Sequence, residues 1–532
     1  MQPDAGSRAR NPHGPGPGGN TGNGSRDHPF FTADTAFARA SQDYFTWLDH
    51  VWTATGCTHP VRLHGALRVI DPRTRELLRS YSTEAMPDRV IYKACGNRRS
   101  ATCPSCAETY RRDAYQLIRS GLIGGKGVPE TVAAHPAVFA TFTAPSFGPV
   151  HTRPIRRHTC TDRNRCGCRP DPCHARRDAG TCEHGQPLAC FARHERGDPR
   201  LGLPLCPDCY DYDAHVVWNH AAGELWRRTK QDIERQLAHL ARRRGRPFVP
   251  IPDAKGRLRW VSPIRVSHGK AAEFQARGAV HFHVLLRLDG IDPEDLDAVV
   301  PPPAGITVAD LDDAIHHAAR AIGFITPAHP ACPDGWLIEW GEQVDVRVIT
   351  MRGGNSVTDS MVASYLAKYS TKGTEVTGHA SARITDETID LYGDPDGNHA
   401  ERLIEACWIL GREPDYHGLR RWAHMLGFGG HFLTKGRRYS VTFGTLRAAR
   451  IFYRRRETAG PELGPIRTAD HAEEETTLII GSLRYTGTGW RTTGDALLAN
   501  TAADQARRRR EAGREELAHE QGTSVNAQRQ AA

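Results

Sequence analysis

The chain has 532 residues, of which 25% are Asp, Glu, Lys or Arg, and a formal net charge of +9. That length is enough for roughly two to four domains and a sizeable core. No run of about 18 apolar residues occurs, which excludes a transmembrane helix on sequence grounds. The Gly-, Pro- and Asn-rich start lacks the apolar core of a signal peptide, so a cytoplasmic protein is expected. In that reducing compartment the fourteen cysteines are expected to be metal ligands where their spacing allows, not disulfides.

Residues 1–28 carry few large apolar side chains and read as a disordered tail. Residues 29–137 read as a mainly helical region, clearest from Ala107 to Leu122, where Tyr110, Ala114, Leu117, Ile118 and Gly121 recur at helical spacing. Ala137 to Pro145 is an apolar, β-branched run stopped by proline, hence a strand. Residues 151–210 are rich in Cys, Arg and Pro and too poor in apolar side chains to make a core without metal. Trp218 to Leu240 follows as an amphipathic helix. Ile264–Phe274 and Ala279–Leu288 read as two strands joined by the tight link Gln275–Gly278, a hairpin. Leu311 to Ile322 reads as a helix, Gln343 to Thr350 as a strand, and Ser356 to Gly373 as a helix with a relaxed capping box at Ser356–Asp359. Residues 376–460 form a basic C-terminal region. Residues 461–532 are polar and expected to be a flexible tail, with Arg507–His519 as a charged surface helix.

Two places carry chemistry. Along a strand, side chains alternate faces, so His281 and His283 point the same way and Phe282 the other. Glu273 precedes His281 by eight residues and, across a short hairpin, can face the histidine pair. One carboxylate and two imidazoles make a three-ligand site with open positions, suited to Mg2+ or Mn2+. Gln275 is a weaker ligand candidate on that face. In the later helix, Tyr365 and Tyr369 share a stripe, with Lys368 and Lys372 on the adjacent one. A phenol, with an ordinary pKa of about 10, is a poor nucleophile at neutral pH. It needs a metal to polarise a phosphate and a cation, such as Lys368 or Lys372, to offset charge. Taken singly, a histidine pair on a strand also fits two partly exposed side chains, and a tyrosine stripe fits plain core packing.

Cys103-Pro-Ser-Cys106 and Cys206-Pro-Asp-Cys209 are CxxC knuckles of the kind that bind structural Zn2+, and Cys95 can complete the first. Cys160, Cys166, Cys168, Cys173, Cys182 and Cys190, with His174 and His184, supply ligands for one or two further sites. A redox role is the alternative for the paired cysteines. Cys332 and Cys407 stand alone and read as ordinary buried thiols. The clusters Arg242-Arg243-Arg244-Gly245-Arg246, Arg437-Arg438 and Arg454-Arg455-Arg456 suit a phosphate backbone, or are solvated surface.

Together, Phe139-Ala-Thr-Phe-Thr-Ala-Pro145, Val280-His281-Phe282-His283 and Tyr365-Leu-Ala-Lys-Tyr369-Ser-Thr-Lys372 resemble, in the same order, three motifs of the HUH endonucleases. The likeness is to the rolling-circle replication initiators of actinobacterial plasmids and integrative elements. The Cys95–Cys106 segment and Arg437-Arg438-Tyr439-Ser440-Val441-Thr442 also look typical of that group. The resemblance implies an α+β fold, an antiparallel sheet backed by helices (the HUH palm), over residues 138–375, with the Cys-rich, zinc-binding insertion and flanking helical regions. It implies nicking and rejoining of one strand of origin DNA through a 5′-phosphotyrosine, with Tyr369 as the essential nucleophile and Tyr365 as a second that would alternate with it at initiation and termination. Host helicase and polymerase are implied partners, since the chain has no GxxxxGK[ST] loop. An HUH-type transposase and a non-catalytic zinc-dependent DNA-binding regulator are the alternatives. A relaxase fits less well, because its tyrosine typically precedes the histidine motif.

Overall fold

The computed structural model describes residues 29–71, 74–155, 170–176, 180–253, 255–349, 358–373, 383–459 and 478–530. The chain is α+β and folds as two compact units, Met1–Cys95 with His471–Ala532, and Gly96–Asp470.

In the first unit, strand Val61–Ile70 pairs antiparallel with Leu77–Ser82, Ile91–Lys93 and Leu478–Thr488. Trp47, Val51, Ala54, Tyr92 and Ala499 form its small core. The first boundary therefore falls after Cys95 and not after residue 137, and the expected helical region contains three strands. Likewise the end of the chain is not wholly a loose tail: it supplies the strand Leu478–Thr488 and the helix Thr493–Gln530. The cause is long-range pairing, since Val61 finds its partner at Thr488. The expected disorder of residues 1–28 and flexibility of 461–477 lie outside the described residues.

The second unit is built on a five-stranded antiparallel sheet. Its spatial order is Val344–Val348, Ala137–Phe142, Val280–Gly290, Ile264–Phe274, Leu433–Lys435. The two strands Ile264–Phe274 and Val280–Gly290 are the expected hairpin. Gln275 N–H donates to Ala279 O at 2.8 Å, and Gly278 N–H to Gln275 O at 2.8 Å. Gly278 has φ +84°, a conformation L side chains rarely adopt, which is why glycine closes this turn.

The two hairpin strands are buried on both faces. Phe282, Val284, Leu286, Leu288, Val266 and Phe274 enter the main core with the long helix Tyr212–Arg243 and the helix Val308–Ala321. The other face carries Ala271 and Leu285 against Leu117, Ile118, Val362 and Leu366, from the helices Pro104–Ile123 and Asp359–Tyr369. Two helical layers thus cover one sheet, and burial on both sides explains the nearly continuous apolar run of Val280–Leu288.

One buried polar network crosses this layer. The Arg287 guanidinium, fully buried, donates to both Asp289 oxygens at 2.7 and 2.8 Å and also to Gly121 O. Ser267 and His135 complete the Asp289 shell at 2.5 and 2.8 Å. Beside it, Tyr439 donates to Ile118 O at 2.8 Å, and its ring lies where a Cβ on Gly121 would stand. The Arg437–Thr442 block is therefore a packing element at its Tyr439.

Candidate active site and metal centres

The hairpin register sets Glu273 directly opposite His281, and Ala271 opposite His283. Glu273 Oε2 lies 3.2 Å from His281 Nε2 and 3.3 Å from His283 Nε2. The three ligand atoms lie within 4.8 Å of one another. Gln275 is not among them; its Oε1 accepts from Arg277 Nε at 2.9 Å.

Burial pushes the Glu273 carboxyl up, but hydrogen bonds from His281 and His283 and the charges of His281 and Lys372 outweigh it and bring it down to about 2. Burial holds the His283 imidazole below its ordinary value, against the opposing pull of Glu273. His283 is therefore neutral at physiological pH, the form that ligates metals. Its Nδ1 lies 3.1 Å from Thr141 Oγ1. If that nitrogen carries the proton and donates to Thr141, Nε2 is left as an acceptor facing Glu273. Two acceptors so close repel each other unless a cation lies between them, so this donor set fits a divalent ion.

The tyrosine helix starts at Asp359, with Thr358 as its N-cap accepting from Met361 N–H at 3.3 Å. The hydroxyl of Thr358 thus reaches the first turn as its cap, whereas Ser356 lies outside the described residues. The helix ends at Tyr369, capped by Ser370. Its apolar stripe of Val362, Ala363 and Leu366 seats it on the sheet, which brings the tyrosines over the histidines. Tyr365 Oη is 3.2 Å from His283 Nε2, and the Tyr365 and Tyr369 rings are 4.3 Å apart. Phe139 stacks on His283, with ring centroids 5.8 Å apart, and meets the Tyr365 ring edge-on. Burial, then the neighbouring Tyr369 and Glu273, raise the Tyr365 phenol above its ordinary value.

Lys372 Nζ lies 3.3 Å from Glu273 Oε1 and 4.3 Å from the Tyr369 ring centre. Lys368 is exposed, with Nζ 5.7 Å from that centre. Of the eight side chains named from sequence for this site, all but Gln275, namely Glu273, His281, His283, Tyr365, Lys368, Tyr369 and Lys372, are thereby brought together on one face of the sheet. From sequence, Thr141 and Phe139 stand out only as parts of a strand; the period-two alternation that selects His283 also selects them. Beside this face opens a cleft of about 770 Å³ lined by Thr143, Gln275, Arg277 and Gln343.

The Cys-rich insertion holds two four-ligand groups. Cys182, His184, Cys206 and Cys209 form one; His151, Cys173, Cys190 and His194 form the other. In the first, His184 Nδ1 is 3.2 Å from Cys209 Sγ. Burial pushes the Cys182 thiol up, but the backbone N–H groups of Gln186 and His184 outweigh it and bring it down to about 7. In the second, His194 Nδ1 is 2.6 Å from Asp198 Oδ2, which leaves Nε2, 3.6 Å from Cys190 Sγ, for a metal. A carboxylate behind a histidine in this way orients it as a ligand.

Sequence spacing misses His151 and His194, because neither lies at knuckle spacing from a cysteine pair. His174 is in neither group: its Nε2 bonds to Val150 O at 2.8 Å, and its backbone pairs with Cys190. Cys160, Cys166 and Cys168 lie outside the described residues. Cys103 caps the helix Pro104–Ile123, and Cys106 sits in its first turn. Cys95 lies in the first unit, where its N–H donates to Cys57 Sγ at 3.3 Å. Cys407 is fully buried in the main core, and the Cys332 thiol donates to Gly335 O at 3.2 Å.

The arginine clusters are partly occupied. Arg244 makes two bonds to Asp310 at 2.7 and 2.8 Å, and Arg437 and Arg438 both reach Asp297. The Arg454–Arg456 side chains lie outside the described residues.

Comparison with known proteins gives these features a context. Residues 43–504 match the family described as "Replication initiator protein, pSAM2". The chain belongs to this family. It is also 40% identical, over 493 residues, to a replication initiator protein of Streptomyces ambofaciens, covering 92% of this chain and 96% of that one. No solved structure matches it significantly. The match spans the hairpin, the tyrosine helix and the Cys-rich insertion alike. No helix among the described residues is long and apolar enough to cross a membrane.

Proposed function

We propose that this replication initiator nicks and rejoins one strand of origin DNA with a tyrosine nucleophile on an HUH-type palm. One observation carries the reading: Glu273, His281 and His283 converge on the sheet face against which Tyr365 and Tyr369 are packed, with Lys372 between them. Glu273, His281 and His283 would hold a divalent cation, Mg2+ or Mn2+, which when bound polarises a phosphate ester.

The residues divide the work. Tyr369 attacks the phosphorus of one phosphodiester, forming a 5′-phosphotyrosine. The bond to the 3′ oxygen breaks, the phenolic proton is lost, and the departing 3′ oxygen takes up a proton as a 3′-hydroxyl that primes synthesis. Tyr369 is favoured as the nucleophile, because burial, the adjoining phenol and the Glu273 charge hold the Tyr365 proton firmly. Lys372 over the Tyr369 ring offsets the charge that develops there. Tyr365 Oη, 3.2 Å from His283 Nε2, borders the cation site and is the second phenol on this face, for the reverse transfer once a bound cation has offset the Glu273 charge. Strand separation and synthesis are left to host helicase and polymerase. The replication-initiator family supports an origin over a transposon end as substrate. We also propose that the two insertion groups bind structural Zn2+, which staples a segment poor in apolar side chains.

The test is a covalent adduct. The full chain is incubated with single-stranded origin DNA and Mn2+ and resolved on a denaturing gel. A DNA-linked band is expected from the wild type and from Tyr365→Phe, at reduced yield, and none from Tyr369→Phe, His281→Ala or His283→Ala. An adduct that survives loss of both tyrosines would sink the mechanism and favour a binding-only regulator.

A further inference from the structure

Next to the tyrosine helix lies a second pocket, of about 500 Å³, with no role in the chemistry above. Its lining includes Arg98, Arg99, Arg383, Trp422, His424 and Phe432, and among the described residues that line it none is acidic. Gly429 and Gly430 keep its rim open, and a Cβ on Gly429 would strike the Trp422 ring at 2.6 Å. Burial, followed by the positive charge of Arg383 and Arg99, holds the His424 imidazole below its ordinary value, a sign of a locally positive field.

The pocket is tied to both halves of the active site. Arg98 Nη1 donates to Ser370 O at 3.0 Å and to Lys372 O at 2.6 Å, on the segment directly after Tyr369. The same guanidinium stacks on Phe432 at 3.9 Å from the ring centre. Phe432 O in turn accepts from Ala272 N–H at 2.9 Å, one residue before Glu273. The wall of the pocket formed by Arg98 and Phe432 is therefore bonded, one residue away along the backbone, to each side of the reacting centre.

Arginines beside aromatic faces, in a cavity of this size, match one nucleotide: phosphate oxygens to guanidinium groups, the base to a ring. We propose that this pocket holds an unpaired nucleotide of the DNA strand flanking the nick site, with Arg99 and Arg383 on its phosphate and Trp422 against its base. The proposal rests on the nicking reading for the identity of the strand, but not for binding itself. It also assigns a purpose to the Asn97–Arg99 part of the segment between Cys95 and Cys103, which the chemistry leaves unused.

Binding is measured without cleavage, on the full chain with no Mg2+ or Mn2+ added and no chelator, so that structural zinc is kept, by fluorescence anisotropy of a labelled oligothymidylate of about 12 nucleotides, within the range single-stranded sites cover. Arg99→Ala/Arg383→Ala and Trp422→Ala are each expected to weaken binding roughly tenfold or more. The double variant should also flatten the dependence of log K on log salt by about 0.7 for each phosphate it no longer neutralises. Arg383 is exposed, so Arg383→Ala alone, with an unchanged melting temperature, keeps the test valid if the double variant misfolds. Affinities within about twofold of wild type for all variants would overturn the proposal, as would competition by free thymidine monophosphate as strong as by the oligonucleotide. Weakened binding in the variants, with no adduct from the wild type, would keep the pocket and discard the tyrosine mechanism. An adduct with unaltered binding would do the reverse.

Discussion

Asn219→Ala probes how the helix layer holds the metal hairpin. Asn219 lies fully buried on the long helix Tyr212–Arg243 and makes three bonds to backbone. Its Nδ2 donates to Gly278 O at 3.0 Å and to Leu426 O at 2.9 Å, and its Oδ1 accepts from Val280 N–H at 2.9 Å. Gly278 and Val280 lie at the hairpin turn that sets Glu273 opposite His281. Removing the amide strands two carbonyls and one N–H. Each such group costs about 1–3 kcal/mol, so with partial relaxation the loss is roughly 3–6 kcal/mol. Against a total stability of about 5–15 kcal/mol, that is a severe defect for a substitution far from the chemistry. The assay is urea unfolding followed by tryptophan fluorescence, with Mn2+ affinity measured on protein that remains folded. A fall of about tenfold or more in Mn2+ affinity is expected, the scale at which supporting groups act on metal sites. A loss below about 1 kcal/mol with unchanged Mn2+ affinity would refute the reasoning, because such a value is typical of a surface change.

Thr141→Val keeps the shape but removes the partner of His283 Nδ1 at 3.1 Å, and should lower Mn2+ affinity by about tenfold in a titration followed by electron paramagnetic resonance. Cys182→Ser and His194→Ala should each lower the zinc content found by elemental analysis by one ion per chain, whereas His174→Ala should leave it unchanged; equal loss in all three would undo the ligand grouping. Lys270 is buried over the Phe282 ring at 3.6 Å, and burial pulls its ammonium down to about 7 from an ordinary 10.5. For a lysine with a depressed folded pKa, stability is greatest above the unfolded value and is lost as pH falls toward the folded one. At about 1.4 kcal/mol per unit this sets an upper limit near 5 kcal/mol. Lys270→Met should therefore be more stable than wild type at pH 7, with the gap closing as pH rises to 10; a gap that widens would show that the lysine is held by an attraction instead.

Local pattern determined a good deal about this protein. Alternation along Val280–Leu288 decided that His281 and His283 share a face, and the length of the Gln275–Gly278 link decided that Glu273 meets them. Helical spacing decided that Tyr365 and Tyr369 align. These are consequences of backbone geometry over a few residues, so they survive whatever the rest of the chain does. Tertiary structure alone decided the rest. It laid the tyrosine helix on the histidine face, where the Val362, Ala363 and Leu366 stripe is buried against Ala271 and Leu285. It chose His151 and His194 over His174 as partners of the insertion cysteines. It paired Val61–Ile70 with a strand from the far end of the chain. Each of those outcomes depends on groups distant in sequence being buried together, and burial is a property of the assembled core that no local pattern encodes.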